Sequence, residues 1–276
     1  MQPEQTALRE FLKKQLEKGY IRPSKTPYTA PFFFIKKKSR ELRPIQDYWK
    51  VNKWTVKNRY PLPLIPELIN QVKGASLFSK FNMQWGYNNV WIKEGDEWKA
   101  AFTTNQGLFK PQVMFFGLTN SPATFQAMMN NISKDKIQEG WVSIYMDDIL
   151  IHTDNDITKH QEYVHCILQK LEENNLYLKP EKCTFEQQRI KFLGIVLEGG
   201  TMQMDPTKIN GVADWPSPKM VKDMQAFLGF TGFYCYFVPN CSNIAHPLIN
   251  LTKKATPFHW DPPQFNAFET LKTLIC

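Results

Sequence analysis

Residues 141–153 read WVSIYMDDILIHT. Val142 and Ile144 precede an adjacent pair of acids, Asp147 and Asp148, and Ile149, Leu150 and Ile151 follow it. The pattern predicts two short strands around a tight turn, with both acids at the tip of a buried hairpin. Adjacent acids alone say little, since 26 acids among 276 residues give roughly two such pairs by chance. The apolar flanks sharpen the signal. Two ionised carboxylates held together in such a setting repel each other and lose hydration. Divalent cations relieve both effects, and Mg²⁺ takes a few carboxylates while leaving room for phosphates. The competing reading is a solvent-exposed β-turn, where aspartates are common.

Outward from the hairpin, SLFSKFNMQW (76–85) reads as a buried strand, and EWKAAFTT (97–104) and Gln112 to Phe115 as further strands. Ser121-Pro122 marks a helix start, serine as N-cap and proline at the first helical position. Ile157 to Asn174 carries a helical stripe of Val164, Ile167, Leu168 and Leu171. KFLGIVLEGGTMQM (191–204) reads as a hairpin turning at Gly199-Gly200. Toward the N-terminus, Gln5 to Lys18 is a predicted helix stopped by Gly19. Phe32 to Ile35 and Leu42 to Ile45 form a predicted hairpin bearing Lys36, Lys37, Lys38, Arg40 and Arg43. A short helix is expected from about Pro66. WPSPK (215–219) is a Pro-rich break, with helices beyond it. Strands and helices interleave without a regular βαβ period, so the expected fold class is α+β rather than a doubly wound sheet.

The chain carries 34 basic and 26 acidic residues, a net charge of +8. That excess suits an anionic partner, nucleic acid or membrane surface, and equally a solvated basic surface. No apolar run approaches the ~20 residues of a membrane span, and MQPEQTALREFLKK at the start has no signal-peptide core. Five cysteines without a CxxC pattern predict free thiols in a reducing compartment, cytoplasm or nucleus, rather than a disulfide framework or zinc site. His160 and His165 lie five apart, poor spacing for a shared metal, and read as satisfied or exposed side chains.

RPIQDYWKVN (43–52), NRYPLPLIPELI (58–69), FSKFNMQWGYNNV (78–90), EGDEWKAAF (94–102) and FFGLTNSPATFQAMM (115–129) precede YMDDIL (145–150) and KFLGIVL (191–197). In order and spacing these blocks resemble the reverse transcriptases of gypsy-type LTR retrotransposons, retroviral-like RNA-directed DNA polymerases. The resemblance runs from about Gln5 to Ala267. It implies a right hand with an antiparallel palm sheet and packed helices: fingers at 1–60 and 88–120, palm at 61–87 and 121–214, thumb at 215–250. Residues 251–276 would start a connection toward an RNase H domain; RNase H and integrase regions are not expected in this chain.

The resemblance also implies roles. Asp147 and Asp148, with positions 82 and 83 (Asn82 and Met83), would form a site for two Mg²⁺ ions, with Mn²⁺ as a substitute. Lys37 and Arg43 match triphosphate-binding cations; the competing reading is a solvated basic hairpin. Tyr87 matches an aromatic gate under the sugar, and Phe116 would line the nucleotide pocket. The Gly117 to Ser121 turn would support the template side. Tyr145 would sit beside the primer terminus, and Leu193, Gly194 and Ile195 match a primer grip, unless that trio is simply core. The implied partners are an RNA/DNA or DNA primer–template and deoxynucleoside triphosphates, with no membrane.

One departure touches the metal set. Five residues ahead of the gate tyrosine the family carries a third metal-binding aspartate, and here that residue is Asn82. Asparagine keeps a carbonyl oxygen but no charge, so an impaired polymerase is expected. Trp49, Gln84, Trp91, Cys235 and His246 stand where the family usually has arginine, and Asn243 where it has aspartate. Ser39-Arg40 replaces an Asp-Gly turn, and Met220 a threonine cap. All but the turn are reachable by single C-to-T or G-to-A transitions, the trail of a decayed element. The alternative to an active polymerase is therefore a silent, domesticated or decayed nucleic-acid-binding protein.

Overall fold

The computed structural model describes residues 2–36, 42–254 and 256–276. It divides into two compact units, residues 1–64 with 77–186, and residues 65–76 with 187–276.

The first unit opens with the helix Gln2–Glu17. Gly19 ends it at φ 67°, and the Tyr20 N–H closes on the Gln15 carbonyl. Left-handed backbone favours glycine at such a stop. A five-stranded sheet follows in the order Ile21–Pro23, Gly107–Pro111, Phe102–Thr104, Ala30–Lys36, Leu42–Gln46. Only the Ala30–Lys36 and Phe102–Thr104 pair is parallel. Leu8, Leu12, Ile21, Phe102 and Phe109 fill the core beneath it.

The second sheet of this unit runs Val142–Tyr145, Asp148–Thr153, Leu77–Asn82, Thr184–Gln187. The helices Ser121–Ile132 and Ile157–Glu173 belong to the same core, where Phe81, Phe125, Met129, Ile149, Ile151 and Ile167 are buried together. The antiparallel α+β expectation holds.

Three local expectations are corrected. Glu97–Ala100 is a 3-10 turn, and only Phe102–Thr104 of that stretch is strand. Gln112 to Phe115 lies outside the sheet apart from a Trp91–Val113 bridge; the strand falls at Gly107–Pro111 instead. Ser121 is the first helical residue, not the cap. Its hydroxyl donates to the Phe115 carbonyl at 3.0 Å, while Asn120 uses its side chain to hold the Val56 carbonyl and the Asn58 N–H.

The second unit holds the three-stranded sheet Arg189–Phe192, Ile195–Glu198, Thr201–Met204. The helices Ile65–Gln71, Pro206–Ala213, Val221–Thr231, Cys241–Asn250 and Pro262–Ile275 complete it. Met224, Phe227, Leu248, Phe268 and Leu271 form its core. The predicted Gly199-Gly200 turn is present, both residues at positive φ. Met220 caps its helix with no side-chain hydrogen bond.

The expectation of free thiols throughout is corrected here. Cys235 and Cys241 form a disulfide, their Cα atoms 5.4 Å apart. A 3-10 turn at Tyr234–Phe237 folds the six-residue separation back on itself. Cys166, Cys183 and Cys276 are free. No helix among the described residues is long and apolar enough to cross a membrane.

Two histidines lie buried behind the second sheet. His160 Nε2 and Nδ1 sit 2.8 Å from the Ser79 and Thr153 hydroxyls, and His152 Nε2 is 3.1 Å from the Ser143 hydroxyl. Burial, helped by His160, pushes His152 from 6.5 down to about 4. Burial lowers His160 too, against the pull of Glu186. Below pH 6.5 the unfolded chain therefore binds more protons than the folded one. The expected result is full stability above that pH and a loss of about 3 kcal/mol from His152 as pH falls toward 4. Urea denaturation midpoints across this window check it, with a shallower slope for His152→Gln.

Candidate active site

The strands Val142–Tyr145 and Asp148–Thr153 pair antiparallel with Tyr145 opposite Asp148. Only Met146 and Asp147 connect them, and Met146 takes φ 53°. A non-glycine residue in left-handed backbone is strained and persists only where its surroundings hold it. Gln126 supplies the restraint. Fully buried on its helix, it accepts from the Met146 N–H at 2.7 Å and donates to the Ile144 carbonyl at 3.1 Å. Sequence reasoning missed this residue. Its one signal was a polar side chain on the helix face shared with Ala123 and Met129.

The neighbouring strand completes the site. Leu77–Asn82 pairs with Asp148–Thr153 so that Asn82 lies opposite Asp148. The Met83 N–H then donates to the Asp147 carbonyl at 2.8 Å. Directly opposed antiparallel residues bring their Cβ atoms within about 5.5 Å, so register alone drives residue 82 against the acids. The Asn82 amide Nδ2 donates to Asp148 Oδ1 at 2.9 Å and to Asp147 Oδ2 at 3.3 Å. The reverse orientation would set Oδ1 against two anions. As it stands, the buried Oδ1 has no hydrogen-bond partner. Two positions earlier on the same face, Lys80 Nζ lies 3.9 Å from Asp148 Oδ1. Met83 itself is fully buried. Among the described residues no three His, Cys, Asp or Glu side chains form a metal-holding group; beside the two acids stands the Asn82 amide.

Aromatic groups extend from the acids. Tyr87 stands on the 3-10 turn Gly86–Asn89, its hydroxyl 3.4 Å from Met146 Sδ. Its ring meets Phe116 at 4.8 Å between centroids and Phe125 edge-on at 5.8 Å. A Cβ at Gly86 would come within 3.0 Å of the Phe125 ring, so glycine permits that approach. Burial raises the Tyr87 hydroxyl pKa, with Asp147 and then Tyr145 adding to it. The Arg43 guanidinium lies 5.1 Å over the Phe116 ring, within cation–π range.

Arg43, Phe116, Tyr87, Tyr145, Asn82, Met83, Asp147 and Asp148 thus form one connected neighbourhood in the first unit. Lys37 lies outside the described residues. Leu193, Gly194 and Ile195 belong to the second unit. There Leu193 and Gly194 turn the strand Arg189–Phe192 onto Ile195–Glu198, at φ 48° and 86°. Such paired positive φ values mark a type I′ turn, so Leu193 is a strained turn residue rather than core, and only Ile195 is buried.

The family model described as reverse transcriptase (RNA-dependent DNA polymerase) matches residues 35–197. The chain is 36% identical over 269 residues to the Transposon Tf2-3 and Tf2-7 polyproteins of Schizosaccharomyces pombe (strain 972 / ATCC 24843). That match takes in 98% of this chain and 20% of each polyprotein, so the chain spans about a fifth of these relatives. Among solved structures, the foamy viral protease-reverse transcriptase dRH in complex with ds DNA superposes with TM-score 0.87 at 21% identity. It covers 97% of this chain and 47% of that one. The foamy viral protease-reverse transcriptase in complex with RNA/DNA hybrid gives 0.82 at 21% identity, covering 98% and 36%. The fold is that of the retroviral-type right-hand polymerases.

Proposed function

This chain belongs to the reverse transcriptase family, and from that premise we propose that it is the RNA-directed DNA polymerase segment of an LTR retroelement, impaired at Asn82. The single observation that carries this reading is the meeting of residue 82 with Asp147 and Asp148, 65 and 66 positions away in the chain. The donor set suits a hard dication once the Asn82 amide is turned: two carboxylates and a side-chain amide oxygen that has no hydrogen-bond partner on the side away from them. Asp147, Asp148, the Asn82 carbonyl and the Met83 main chain would hold Mg²⁺ or Mn²⁺. When bound, two such ions lower the pKa of the primer hydroxyl and offset phosphate charge.

This chain's own groups do the positioning. Lys37 and Arg43 would hold the triphosphate, Arg43 already steadied over Phe116. The Tyr87 ring, fixed by Phe116 and Phe125, would close the space a 2′-hydroxyl needs. Tyr145 would flank the primer end, and the strained Leu193-Gly194 turn with Ile195 would carry the primer strand. Fingers at 1–60 and 88–120, palm at 61–87 and 121–214 and thumb at 215–250 remain the assignment proposed. The foamy viral relatives bound to ds DNA and to RNA/DNA hybrid support a primer–template as partner.

A second reading rests on the same amide. With Asn82 hydrogen-bonded to both acids, the hand could bind duplex without synthesis. Extension and binding of a DNA primer on an RNA template, with Mg²⁺ or Mn²⁺, separate the two. Slow incorporation that Asp148→Asn abolishes supports the polymerase. Binding with no incorporation supports the silent protein, and loss of both overturns the assignment.

A further inference from the structure

Most such sites hold adjacent acids apart from each other's charge with bound cations. Here the protein supplies its own counter-groups. The Asn82 N–H₂ reaches both carboxylates, at 2.9 and 3.3 Å, and Lys80 brings an ammonium to 3.9 Å from one of them. N–H donors aimed at ionised oxygens make stronger bonds than neutral pairs do. The same amide leaves its own carbonyl buried and unpartnered, an arrangement that costs free energy unless something offsets it. The offset is the two charge-assisted bonds on its other side.

We propose that the Asn82 carboxamide is a built-in stand-in for a cation: it ties Asp147 to Asp148 without metal, and it must turn over before a divalent ion can enter. The inference rests on reading residues 82, 147 and 148 as the metal site. Turning the amide breaks both N–H bonds and presents the orphaned Oδ1 to the ion. Entry is therefore opposed twice, by the missing negative charge and by bonds that must first be given up. An aspartate at 82 reverses both: three carboxylates repel one another without metal and draw it in strongly.

Thermal unfolding of the full chain tests this in EDTA and in millimolar Mg²⁺. The wild type should melt at nearly the same temperature in both. Asn82→Asp should melt roughly 2–4 °C lower in EDTA, by the usual scaling of stability to melting temperature for a chain of this size, and recover that loss in Mg²⁺. Equal melting of the two proteins in EDTA overturns the tie, and so does a Mg²⁺ gain in the wild type matching that of Asn82→Asp. If Asn82→Asp is destabilised in EDTA but neither protein responds to Mg²⁺ or Mn²⁺, the tie stands and the metal-site reading beneath it fails. Should Asn82→Asp not fold, the wild-type side-chain amide decides: slow hydrogen exchange of the Asn82 N–H₂ in EDTA supports the tie, and solvent-fast exchange overturns it.

Discussion

Asn82→Asp should raise the rate of Mg²⁺-dependent primer extension by roughly 10²–10³-fold, the usual worth of one well-placed electrostatic group. The argument is geometric. Position 82 sits opposite Asp148 in the strand register, and its side chain already touches both acids. An aspartate there needs no backbone change to reach the same place. It adds one negative charge to the groups that would hold a divalent ion, and it removes the N–H donors that hold the acids to each other. The gain should lie in the chemical step, so single-turnover rates at saturating primer–template and nucleotide check it. Unchanged single-turnover rates would mean that residue 82 is not the third corner of the site.

The second large effect concerns salt. The chain carries eight more basic than acidic residues, an excess that suits an anionic partner and equally a solvated basic surface. If 6–10 phosphates are neutralised on binding, affinity for an RNA/DNA hybrid should fall roughly 10³–10⁵-fold between 50 and 200 mM salt. The effect should be the same for wild type and Asn82→Asp, because the grip is independent of the catalytic corner. Fluorescence anisotropy of a labelled hybrid across that range measures it. A flat response would remove nucleic acid as the partner and leave the positive charge as a solvated surface.

The acidic hairpin was legible because apolar residues flank it on both sides and bury as strands, and because the turn holds only two residues. The place of residue 82 was legible only through the family pattern, since no periodicity links it to acids 65 positions on. Gln126 was not legible: its position follows helical spacing, and only the hairpin packed against it reveals that its amide restrains Met146. The Leu193-Gly194 turn escaped because leucine favours strands and helices, and its φ of 48° is imposed by the pairing on either side. EWKA reads as one strand with the FTT that follows it, yet Asp96 and Gly95 turn the chain into a 3-10 bend. The Cys235–Cys241 pair was hidden for a related reason. Five cysteines without a CxxC pattern read as free thiols, until a tight turn brings the two Cα atoms to 5.4 Å.

Residues acting as one unit show strongly non-additive substitutions, and that gives the most direct test of a shared site. The measurement is the single-turnover extension rate of Asn82→Asp beside that of the same protein carrying Asp148→Asn as well. The expected result is that the second substitution erases the entire gain, returning the rate to the wild-type level or below it. A gain that survives without Asp148 would contradict a common site for residues 82, 147 and 148.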